Sequence, residues 1–157
     1  MITTLTSVTS ASFTTAAILT CAEGGTCTAY VSTGAGGGTV FYYSATAFTS
    51  TGSACGTNCH YLEAAPTGWI VASTPVGQTN CTDAGTSTLD PRCAWSGNIS
   101  IEIGSAAQGT AIGTGYANTS AIIAQTNGGS TAGKAATVSR AYQGGSKTDW
   151  FLPSTLE

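Results

Sequence analysis

At 157 residues the chain suits one ordinary domain, and only 7% of its residues are charged, against roughly 25% in an average soluble protein. Its 29 Thr, 17 Ser and 21 Gly leave hydroxyls rather than charges to wet the surface, a composition common in β-rich extracellular proteins. A net charge of −3, with only Arg92, Lys134, Arg140 and Lys147 basic, argues against nucleic-acid and anionic-membrane partners. No apolar run approaches the roughly 18 residues of a membrane-spanning helix, and 41% hydrophobic content argues against disorder.

Residues 1–26 read as an extended Thr/Ser-rich lead-in, and 27–157 as the domain proper. Met1 to Thr20 lacks the basic start and unbroken apolar stretch of a secretory leader. The cysteines nevertheless point to an oxidising compartment. The two signals agree if the chain is an internal piece of a larger exported protein, extracellular or at the cell surface.

Cys21, Cys27, Cys55, Cys59, Cys81 and Cys93 fall into three close pairs along the chain. Many connectivities are open to them. The simplest is local, Cys21–Cys27, Cys55–Cys59 and Cys81–Cys93, each bridge adding about 2–3 kcal/mol. Cys55, Cys59 and His60 also have the spacing of half a zinc site, but no second knuckle follows and His60 is the only histidine. No metal or other cofactor is expected. A catalytic thiol would lack a histidine base beyond His60.

Thr39-Val-Phe-Tyr-Tyr43 is β-branched then aromatic, a strong strand signal, and Gly34 to Gly38 before it permit a tight turn or bulge. No phosphate-loop Lys follows those glycines. His60 to Ala65 is a second strand, stopped by Pro66. Residues 67–93 read as a long irregular loop pinned by a disulfide, with Trp95 anchoring it to the core. Asn118 to Gln125 predicts a short helix, capped by Asn118 or Thr119 and ended by Asn127-Gly128. Ser130 to Tyr142 predicts a second, closed by Gly144-Gly145. Trp150, Phe151 and Leu152 then form a buried strand or core anchor, each side chain worth about 1.5–3 kcal/mol when buried. The closing Leu156-Glu157 reads as a cloning scar as readily as native sequence.

Five motifs occur in order: Gly36-Gly-Gly-Thr-Val-Phe-Tyr-Tyr43, Tyr61-Leu-Glu-Ala-Ala-Pro66, Trp95-Ser-Gly-Asn98, Ala111-Ile-Gly-Thr-Gly-Tyr-Ala-Asn-Thr119 and Gly144-Gly-Ser-Lys-Thr-Asp-Trp-Phe-Leu-Pro153. Together they resemble the bacterial extracellular domain family named after the C-terminal domain of the Legionella collagen-like adhesin. The resemblance implies an α+β, C-type-lectin-like fold: a small twisted antiparallel sheet, two short helices and long disulfide-pinned loops. It also implies a central sheet that continues beyond this chain, through segments that this sequence lacks. By analogy with that adhesin a homotrimer is open to the chain, and no residue here points to one.

The resemblance implies an extracellular recognition or adhesion module that binds a glycan or other surface polymer. The founding domain is associated with sulfated glycosaminoglycans, yet four scattered basic residues cannot make a dense anion site. A neutral glycan fits better, held by stacking and hydrogen bonds from Trp69, Trp95, Asn98 and Tyr116, although core or turn duty is the plainer role for each tryptophan. A passive structural module of a surface array is the alternative. An enzyme is not expected: one histidine and few carboxylates leave little for acid–base chemistry, although Glu63 in an apolar strand would have a raised pKa.

Overall fold

The computed structural model describes residues 29, 32–69, 93–97, 101–126 and 129–157. Within them the chain is a small α+β unit with a two-stranded antiparallel sheet, two helices and the Cys55–Cys59 disulfide.

The β-branched and aromatic run at Thr39 opens strand β1 (Thr39–Phe48), and β2 (Cys59–Ala64) pairs with it antiparallel. Thr39 faces Ala64, Val40 faces Glu63, Tyr42 faces Leu62, Tyr43 faces Tyr61 and Phe48 faces Cys59. Both strands lie where the apolar periodicity puts them, but β1 is longer than its aromatic run. It advances from Tyr43 to Phe48 while β2 advances only from Tyr61 to Cys59, so residues 44–47 stand against His60 alone, and the three surplus residues bulge. The His60 ring steadies the bulge, its Nδ1–H donating to the Ser44 carbonyl oxygen at 3.0 Å. Val40 is fully buried beneath Tyr61.

A tight loop joins the strands. Ser50 N–H donates to Gly56 O at 2.7 Å, and the Cys55–Cys59 bridge (Cα–Cα 5.1 Å) closes it. The half zinc site read from Cys55, Cys59 and His60 therefore does not form: both sulfurs are bonded to each other, and the imidazole serves the bulge. Cys93 is also disulfide-bonded. Its expected partner Cys81, and the expected pair Cys21–Cys27, lie outside the described residues.

Helix α1 spans Gly115–Ala124, starting before the expected position. Neither Asn118 nor Thr119 caps it. Asn118 reaches back instead, accepting from Gly109 N–H at 3.0 Å and donating to Gly109 O at 2.6 Å. Thr119 is buried, and its hydroxyl accepts from Leu152 N–H at 2.9 Å. The acceptor for the free amides at this helix start comes from far along the chain. The Glu157 carboxylate takes Gly113 N–H at 2.6 Å, Gly115 N–H at 3.0 Å and Ser154 N–H at 2.7 Å. Leu156 N–H also donates to Thr110 O, so Leu156 and Glu157 are both tied into the fold.

Helix α2 (Ala135–Ala141) is shorter than the Ser130–Tyr142 expectation. Its lead-in is a turn, with Lys134 N–H on Thr131 O. Its first amides are satisfied by Ala94 O (2.9 Å) and Trp95 O (3.4 Å), from Ala135 and Ala136. This corrects the role of Trp95: its backbone does the anchoring, while the residue is 51% exposed. Gly145, at φ 59°, turns the chain after α2 where a Cβ would meet Ala35 and Gly36 backbone. The helices meet through Arg140, whose guanidinium lies 3.5 Å over the Tyr116 ring.

From 147 to 154 the backbone is neither strand, helix nor turn. The aromatic run at 150–152 is thus an anchor and not a strand of the sheet. Its backbone bonds are taken elsewhere, Leu152 by the Thr119 hydroxyl, and its rings pack on the helical half: Trp150 on Tyr142 at 4.9 Å and Phe151 on Tyr116 at 6.2 Å. All three side chains are half-buried.

Candidate binding groove

Between β2 and the 149–153 segment lies an open groove of about 1030 Å³. Phe41, Tyr43 and Ala45 contribute one face of β1, whereas every residue from Asn58 to Ala65 lines it. Alternating residues show that β1 presents a face; unbroken succession shows that β2 presents its edge. Asp149 to Pro153 forms the opposite wall.

An aromatic ladder closes one part of the groove. Trp69 and Tyr142 meet edge-to-face at 5.1 Å, and Tyr142 meets Trp150 the same way. Val138 of α2 packs under Trp69, which fixes the ladder to the helical core. The other part is polar, with Ser50, Ser53 and Asn58 from the disulfide loop. The Ser50 side chain is 1% exposed, and its Oγ has no hydrogen-bond partner. A buried hydroxyl of this kind is a polar group awaiting a partner.

The walls are strapped together. Ala54 N–H, inside the disulfide loop, donates to Asp149 Oδ2 at 3.1 Å across 95 residues of sequence. Glu63 ties a third segment in, its Oε1 accepting Gly36 N–H at 2.6 Å. Its Oε2 is buried without a partner. Burial pushes the Glu63 carboxyl above its ordinary pKa, against the pull of that amide and of Lys147, and the Asp149 charge adds to the rise. Burial likewise raises the Tyr61 phenol, with Glu63 and Asp149 adding to it. Glu63, Asp149 and Glu157 line the groove against Lys147, so its field opposes anions.

Of the expected ligand-holding residues that are described, Trp69 lines this groove. Tyr116 lies between Arg140 and Phe151 in the helical half, and Trp95 is exposed at the start of α2. Asn98 lies outside the described residues. The groove residues that sequence reasoning did not single out are Ser50, Tyr61, Tyr142 and Asp149. One signal was legible: a carboxylate in an apolar strand, with a glycine-rich loop to close over it. Nothing in sequence brings Asp149 to Ala54. Among the described residues, no group of three metal-ligating side chains converges, and no helix is long and apolar enough to cross a membrane.

Comparisons with protein-family models, with curated proteins and with solved structures returned no match to this chain.

Proposed function

We propose that this chain is an extracellular recognition or adhesion module of a larger bacterial surface or secreted protein, and that the groove between β2 and residues 149–153 is its binding face. The observation that carries the reading is that groove: concave, aromatic along one part, hydroxyl- and amide-lined along the other, with the buried Ser50 hydroxyl unpartnered. Few convergent polar groups in a largely apolar cleft are the general form of a binding site. The disulfides suit an oxidising, extracellular setting. The reading also draws on the motif resemblance to the C-type-lectin-like adhesin family, with which the layout of two short helices beside a small antiparallel sheet agrees at the level of the α+β class.

The carboxylates around the groove make a sulfated glycosaminoglycan a poor ligand and favour a polymer without negative charge. A neutral glycan would lay a sugar face on Trp69 and hydrogen-bond the polar part of the groove, at Ser53 and Asn58. The module is read as non-catalytic: Glu63, the carboxyl among the described residues whose pKa burial raises, holds the Gly36 amide with Oε1 and has its Oε2 buried.

Arrays of neutral and sulfated glycans and of short peptides, probed with the wild-type chain and with Trp69→Ala, test the reading. Binding that is lost in the variant supports it. Silence on every array, with light scattering that grows with concentration, supports a passive structural module instead.

A further inference from the structure

We infer that the groove takes an extended segment of another polypeptide, which adds to the free edge of β2 as a third strand and sets a Lys or Arg beside Asp149. This rests on the groove being the binding face, and it names the ligand's class.

Three observations carry it. First, among the described residues the backbone hydrogen bonds of β2 go to β1 alone, and the sheet they form has two strands. The alternate N–H and C=O groups of Cys59–Ala64 that point away from β1 thus face the groove. Among the described residues these groups have no partner, and such a row of donors and acceptors along about 20 Å matches an extended polypeptide, whose own groups repeat at the same spacing. A sugar ring has no such repeat.

Second, the groove has pockets on both sides of that edge. Tyr61 and Glu63 share the face of Tyr43, their register partners placing them together, while His60 and Leu62 lie on the other face, and all four line the groove. An inserted strand would send alternate side chains to each side, one set toward Trp69, Tyr142 and Trp150 and the other toward the Ser50 end.

Third, the charge is complementary to a cation. Asp149 lines the groove beside Lys147, and among the described residues it commits only Oδ2, to the strap from Ala54. A second copy of this chain fits poorly: it carries four basic residues in 157, of which Arg140 is already stacked on Tyr116.

The test is selection from a phage-displayed nonapeptide library with the oxidised full chain as bait. The expected result is enrichment of alternating β-branched or aromatic peptides that contain Lys or Arg. Synthetic copies N-methylated at alternate positions should bind roughly five- to tenfold more weakly in one register and normally in the other, because only one set of amides meets β2. Asp149→Asn retains the acceptor for Ala54 and should weaken binding several-fold, with less dependence on ionic strength. Peptides insensitive to N-methylation in either register would overturn strand addition. So would an empty selection. If the selection is empty but a neutral glycan binds and needs Trp69, the recognition reading stands and only the polypeptide is wrong. A dimer that forms in sedimentation and blocks the groove would replace the foreign segment with a second copy, and overturn the inference as stated.

Discussion

The Glu63 carboxylate accepts the Gly36 amide at 2.6 Å, and by doing so fixes the glycine-rich loop against strand β2. Gly36 has no side chain to lose there: a Cβ would enter the space of both the carboxylate and the Trp150 ring. The contact joins three segments far apart in sequence, and it leaves a carboxyl in a place where ionising is costly.

That cost sets a pH dependence. The folded-state pKa of Glu63 is raised, chiefly by burial. A raised carboxyl pKa means that the folded form favours the proton. Stability is therefore greatest below the ordinary carboxylate pKa, and declines as pH rises from there through the folded-state value. Glu63→Gln keeps an acceptor for Gly36 and cannot ionise. It should melt higher than wild type at pH 7 and close to it at pH 4. Thermal melts across that range check this; a Gln variant less stable at pH 7 would show that the charge itself holds the loop.

The short disulfide loop constrains few residues. Cys55 and Cys59 are four apart, so replacing both with Ser should cost about 2 kcal/mol by the chain-entropy account. Urea unfolding measures it. Because Ala54 sits in that loop, amide exchange at Ala54 should quicken in the same variant as its bond to Asp149 weakens.

Helix propensity predicts that Ala at position 115 stabilises α1. The tertiary structure predicts the reverse. A Cβ on Gly115 would lie 2.7 Å from Leu152 O and 2.7 Å from Phe151 Cδ2, and would crowd the Glu157 carboxylate that accepts the Gly115 amide. Gly115→Ala should destabilise by roughly 1–3 kcal/mol, as overpacking does. Calorimetry gives the sign directly.

Thr119 tests the seat of the aromatic tail. Its side chain is 0% exposed, and its hydroxyl holds the Leu152 amide. Thr119→Val keeps the shape and strands that amide, at a cost of about 1–3 kcal/mol. Trp150 emission should shift to the red as the 150–152 segment loosens from its place on Tyr142. Unchanged stability would mean that water replaces the hydroxyl.

The sequence was most legible where a single local pattern decides the outcome. A β-branched, aromatic run became β1; the apolar run before Pro66 became β2; close cysteines became the Cys55–Cys59 bridge. Helix positions followed from the Ala- and Ile-rich segments, but their starts did not. The amides that open α1 and α2 are satisfied by Glu157, Ala94 and Trp95, groups distant in the chain that no capping rule inspects.

The candidate site was hardly legible at all. Trp69 was singled out and lines the groove, but Tyr142, Asp149 and Ser50 join it only because the disulfide loop is strapped to the tail. Likewise an apolar run can announce that Trp150, Phe151 and Leu152 will be covered, but not by what. Strand pairing and ring packing bury such a run equally well, and the choice fell to the helical half, where the Thr119 hydroxyl and the Tyr116 and Tyr142 rings offered it partners. Local composition thus determined the elements. Long-range hydrogen bonds and packing decided how those elements meet around the groove, because those energies depend on groups that the chain brings together only when folded.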